Sequence, residues 1–127
     1  MDPVALTEEL VSFDTVSSRP NLALCDRLQT LIEPLGGAIR ILEKPGVPGQ
    51  RNLLARFGPE GPGGLALAGH TDTVPWDASM RATTAPERDG RRLYGRGTCD
   101  MKGAIAAMVL AAAGLGRTRL AGLRRPL

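Results

Sequence analysis

Apolar residues recur at helical spacing from the start of the chain. Leu6, Leu10 and Phe13 follow Asp2-Pro3, which pairs a capping oxygen with a proline suited to the first helical position. Ser17-Ser18-Arg19-Pro20 breaks this helix and opens a second. There Leu24, Leu28, Leu31, Ile32 and Leu35 form one apolar stripe, stopped by Gly36-Gly37. Residues 38–42 read as a short strand and residues 45–48 as a turn. Residues 52–57 and 65–68 read as two further apolar strands, separated by a Gly/Pro-rich turn at 58–64. The second of these runs straight into His70. Residues 76–90 are irregular and polar, as in a surface loop, and 92–94 fit a short strand before Gly95-Arg96-Gly97. An alanine-rich helix over 103–114 is apolar on nearly every side and is therefore expected to be buried. Helices alternating with strands predict an α/β fold around a mainly parallel sheet. Residues 115–127 lack both periodicity and caps, which predicts a disordered tail.

Composition narrows the class. The chain of 127 residues fits one small domain, and 43% hydrophobic with 23% charged residues is ordinary for a globular protein. Aromatic residues make up only 3%, so the core must come from aliphatic side chains. No apolar run reads as a membrane span, and Met1-Asp2-Pro3 is acidic where a secretory leader would be basic, so the expected compartment is the cytoplasm. Cys25 and Cys99 are then expected to be reduced, with Cys99 packed in the interior. The net charge of +3 belongs to the tail. Taking Arg117, Arg119, Arg124 and Arg125 from the 16 basic residues leaves 12 against 13 acidic ones. With no basic and aromatic interleaving either, nucleic acid is not an expected partner.

The chemistry concentrates in two stretches. Gly69-His70-Thr71-Asp72-Thr73-Val74-Pro75 holds the only histidine. His70 and Asp72 are two apart at a strand end, so extended geometry puts both side chains on one face, where open α/β sheets bind ligands. An imidazole nitrogen suits zinc, and a neighbouring carboxylate fixes its tautomer. The alternative is an ordinary hydrogen-bonded histidine at a polar strand end. In Tyr94-Gly95-Arg96-Gly97-Thr98-Cys99-Asp100-Met101-Lys102-Gly103, Asp100 precedes the apolar helix, either as a metal-binding carboxylate or as that helix's N-cap. Gly95-x-Gly97 lacks the further spacing of a nucleotide fingerprint.

Together, the two stretches and their separation resemble the M20 family of metal-dependent amidohydrolases, in particular its acetylornithine deacetylase variant, from about Leu6 to Gly114. The resemblance implies the amino-terminal part of a three-layer αβα zinc-peptidase-like catalytic domain over 1–114, incomplete, followed by the atypical tail 115–127. It implies that His70 ligates one metal, that Asp100 bridges both ions of a dinuclear Zn2+ or Co2+ site, and that Asp72 serves catalysis from behind His70. It also implies a cis peptide after Asp100. The implied substrate is a small-molecule N-acyl amino acid such as N-acetyl-L-ornithine, with no membrane or nucleic-acid partner. A homodimer is usual in the family, through a domain not contained here.

The family's Glu-Glu pair, its further metal-binding acid and its second histidine have no counterpart. After Asp100 the chain holds no Asp, Glu or His. The loop at Met80-Arg81-Ala82-Thr83-Thr84-Ala85-Pro86-Glu87 is also shortened relative to the family and lacks its phenylalanine. The expectation is a truncated, inactive member whose reading frame shifts just after Gly114. The alternatives are a non-catalytic remnant with weak metal binding and a related deacylase such as succinyl-diaminopimelate desuccinylase.

Overall fold

A computed structural model describes residues 1–77 and 79–127; Ala78, inside the expected loop at 76–90, lies outside the described residues. Helix α1 spans Pro3–Ser12, with the Asp2 carboxylate accepting the Ala5 N–H at 2.9 Å. Helix α2 spans Leu22–Ile32 and tightens into a 3-10 turn at Glu33–Leu35, which Gly36 ends in the left-handed conformation. Strands β1 (Ala38–Glu43) and β2 (Arg51–Arg56) form an antiparallel hairpin in which Ala38 faces Arg56 and Glu43 faces Arg51. A second small hairpin joins β3 (Glu87–Asp89) to β4 (Arg92–Tyr94). Helix α3 spans Gly103–Ala121.

The core lies among the three helices. Leu6 and Leu10 of α1, Leu24 and Leu28 of α2, and Ile105, Ala106 and Val109 of α3 form one apolar cluster. Leu53 of β2 packs against it, placing the first hairpin on the helical layer. The Arg27 guanidinium pairs with both Glu9 carboxylate oxygens, tying α2 to α1 at the surface.

The mixture of helices and strands is as expected, but several elements differ. Both described sheets are antiparallel pairs, not a parallel sheet. Residues 65–68, expected as a strand, are not one, because no neighbouring strand completes their hydrogen bonds. The expected loop at 76–90 contains β3. Helix α3 buries one face only; Ala107, Ala111 and Ala113 are exposed. Part of the tail is ordered. Beyond a break at Gly116 (φ 74) α3 continues to Ala121, and Leu120 is buried.

By length and composition one helical stretch, Thr98–Ala121, could cross a membrane, contrary to expectation. Its path is not regular, however. Asp100, Met101 and Gly116 leave helical geometry, so residues 103–115 run only about 20 Å against a ~30 Å hydrocarbon layer. Ile105, Ala106 and Val109 are already packed in the core.

Candidate metal centre

Two segments meet at the site, and each is anchored to the loop after α1. Val16 and Thr73 form a parallel bridge, in which Thr73 N–H donates to the Thr15 carbonyl (2.9 Å) and Ser17 N–H to the Thr73 carbonyl (3.0 Å). The Thr15 hydroxyl donates to the Thr71 carbonyl at 2.6 Å, and the Asn21 amide to the Thr71 hydroxyl at 3.1 Å. These bonds hold residues 71–73 without a sheet around them.

The second segment is the turn Thr98–Lys102. Lys102 N–H donates to the Gly97 carbonyl (2.8 Å), and the Lys102 ammonium reaches back to donate to the Phe13 carbonyl at 2.7 Å. The lysine side chain is 1% exposed, and burial pushes its pKa down to about 8. Gly97 has φ +89, and a Cβ there would come within 2.9 Å of the Thr73 methyl, so glycine is needed for the two segments to approach. The Asp100–Met101 peptide is cis, as the resemblance implies.

Through this approach the three expected site residues come together. His70 Nε2 lies 3.0 Å from Asp100 Oδ1. His70 Nδ1 lies 3.0 Å from the Asp72 carbonyl oxygen and 3.3 Å from its Oδ1. The Ser17 hydroxyl donates to Asp72 Oδ2 at 2.6 Å. The His70 pKa is raised, first by the Asp72 carbonyl and then by the Asp100 carboxylate, while the Ser17 hydroxyl chiefly lowers that of Asp72.

The protonation logic is restrictive. The Asp72 carbonyl oxygen can only accept, so Nδ1 carries a hydrogen. Neutral His70 then presents a bare Nε2 lone pair to an Asp100 carboxyl oxygen. Two acceptors at 3.0 Å require a cation or a proton between them. A divalent metal and an imidazolium proton both meet that requirement. The opening is accessible, since the Asp100 side chain is 86% exposed. Among the described residues, however, no group of three or more His, Cys, Asp or Glu side chains converges, so the pair supplies only part of a coordination shell.

Asp100 does not cap α3, whose N-cap is Lys102 with no side-chain cap bond. Cys99, expected inside, is exposed, because the turn directs it away from the core; both cysteines are free. Ser17, Asn21 and Lys102 were not singled out in the sequence. Ser17 looks like a helix breaker, and no local pattern reveals that it meets Asp72 across 55 positions.

Residues 66–123 match the model of peptidase family M20/M25/M40. Over 119 residues the chain is 44% identical to a succinyl-diaminopimelate desuccinylase of Novosphingobium aromaticivorans, a match covering 89% of this chain and 31% of that protein. It is 45% identical to an acetylornithine deacetylase of Myxococcus xanthus, covering 85% and 30% respectively. A Janthinobacterium succinyl-diaminopimelate desuccinylase is 46% identical, covering 86% and 28%. The chain thus spans about a third of the length of the curated relatives it matches.

Proposed function

Because the chain belongs to the M20/M25/M40 peptidase family, we propose that it forms the amino-terminal part of a metal-dependent amidohydrolase acting on a small N-acyl amino acid. The convergence of His70 Nε2 and Asp100 Oδ1, which leaves room for a cation or a proton between them, carries this reading. His70 and Asp100 would hold Zn2+ or Co2+, with the second Asp100 oxygen free to reach another ion. Asp72, whose carbonyl oxygen and Oδ1 lie 3.0 Å and 3.3 Å from Nδ1 and whose carboxylate Ser17 fixes, would hold the imidazole in the Nδ1–H tautomer and leave Nε2 available as a ligand. The bound metal supplies a Lewis acid for an amide carbonyl and lowers the pKa of water. The three-layer αβα domain belongs to the same reading, as does a substrate of the N-acetylornithine or N-succinyl-diaminopimelate kind, after the names of the relatives.

The 127 residues contain no acid or histidine after Asp100, which favours a narrower reading for this polypeptide alone: weak metal binding without turnover. Zinc competition against a chromophoric chelator tests both parts. We expect one weak site that is lost in His70→Ala and in Asp100→Ala, and weakened about 10- to 100-fold in Asp72→Asn. Binding unchanged in the two alanine variants would overturn the ligand assignment. For the reaction, this chain would replace the amino-terminal third of the Myxococcus xanthus acetylornithine deacetylase. The chimera should release acetate from N-acetylornithine and lose that activity with His70→Ala. A folded chimera equally active with and without His70→Ala would refute the role.

A further inference from the structure

Residues 13–17, the loop after α1, are used from two sides. On one side they carry the segment of His70 and Asp72. Thr73 N–H donates to the Thr15 carbonyl and Ser17 N–H to the Thr73 carbonyl, while the Thr15 and Ser17 hydroxyls donate to the Thr71 carbonyl and the Asp72 carboxylate. On the other side the Phe13 carbonyl accepts from the Lys102 ammonium, two residues beyond Asp100. Among the described residues this is the one hydrogen bond between the turn Thr98–Lys102 and residues 13–17. Within the turn, Lys102 N–H donates to the Gly97 carbonyl, so the backbone closes around Asp100. The parts also touch directly. A Cβ at Gly97 would meet the Thr73 methyl at 2.9 Å and the Lys102 stem at 3.2 Å, so a shift of one is passed to the others.

Lysine is a costly residue for this position. Its side chain is buried, and among the described residues its ammonium bonds only the Phe13 carbonyl. That single bond offsets only part of the lost hydration, whereas methionine would fill the same space without the loss. Packing therefore does not account for the ammonium. What it supplies, and methionine cannot, is a donor that fixes the turn against the loop.

We propose that Lys102 is a positioning residue: by tying the turn of Asp100 to the loop that holds His70 and Asp72, it sets the separation of the two metal-binding atoms without touching the metal. This role rests on the reading of His70 and Asp100 as the metal-binding pair. Binding linkage is reciprocal, so a metal held by that pair tightens the loop against the turn in its own right.

The test combines zinc competition with amide hydrogen exchange on the full chain. Lys102→Met should denature as cooperatively as the parent and yet bind zinc about 3- to 30-fold more weakly. Thr15→Val, a near-isosteric change that removes the hydroxyl bond to Thr71 at the far side of the loop, should weaken zinc binding similarly. The double variant should bind no more weakly than Lys102→Met, because a loop detached from the turn relays nothing to Asp100. Zinc should slow exchange of the Ser17 and Thr73 amides in the parent but not in Lys102→Met. Without metal, those two amides should exchange faster in Lys102→Met while the amides of α2 stay unchanged, a local effect that general destabilisation does not produce. Unaltered zinc affinity in Lys102→Met, losses that multiply in the double variant, or equal protection by zinc in both proteins would overturn the proposal. If Lys102→Met does not fold, unaltered zinc affinity in Thr15→Val overturns it. Zinc binding that survives His70→Ala would instead remove the metal reading. The metal-free exchange then decides the role of Lys102, and unchanged Ser17 and Thr73 amides would reject it.

Discussion

The helical half and the strand half of this protein are built from the same aliphatic residues but use them in opposite ways. Leu6 and Leu10 are fully buried between α1 and α3, whereas Leu65 and Leu67 are 62% and 49% exposed. The difference lies in the backbone. A helix satisfies its N–H and C=O groups within its own segment, so an apolar stripe is enough to dock it. A strand needs a partner along each edge before its side chains can be buried. Residues 65–69 have the composition of a buried strand, but among the described residues only Leu65 makes a backbone bond, to Pro126.

Four measurements sharpen the contrast. The largest effect is expected from Leu10→Ala, which empties a fully buried position and should cost about 2–5 kcal/mol in urea denaturation. A smaller loss would mean that the helical half is loosely packed. Next is the buried lysine at the seam between α1 and the turn. Its folded pKa of about 8 lies below the ordinary 10.5, so between those values the unfolded chain binds more protons. Stability should therefore rise with pH from about 8 toward 10.5 and be insensitive to this group below 8. Denaturation at pH 7.5 and pH 10 should show the rise, and Lys102→Met should remove it. Asp2→Ala, which deletes the α1 cap, should cost about 1 kcal/mol in the same assay. Smallest of all, Leu67→Ala should fall within about 0.5 kcal/mol of the parent. A loss comparable to that of Leu10→Ala would mean that the two halves are not different in kind.

The same contrast explains what could be read in the chain. Helices α1 and α2 and the strands β1 and β2 were legible because caps, stripes and turns are local, whereas the antiparallel pairing of the two strands was not. The Asp2 cap and the left-handed Gly36 stop are both present. The strand expected at 65–68 failed because pairing is not local, and the buried face expected all round α3 failed because an apolar composition does not say which side meets a neighbour; Ile105, Ala106 and Val109 do. At the site, the His70 and Asp72 pairing followed from a spacing of two. The approach of Asp100 came only from the family resemblance, and the anchoring by Ser17 and Asn21 had no signal in the sequence at all. Side chains that act across 50 or more positions leave no periodic mark.

Lys102 also makes the protein its own reporter of motion. At pH 8 about half of this amine is neutral and nucleophilic, yet it is sealed behind the Phe13 carbonyl. Lys44, the only other lysine, lies at the surface. An acylating reagent should therefore label Lys44 at once and Lys102 only when the loop after α1 lifts from the turn. The ratio of the two rates counts those openings directly, at the contact that holds Asp100 in front of His70.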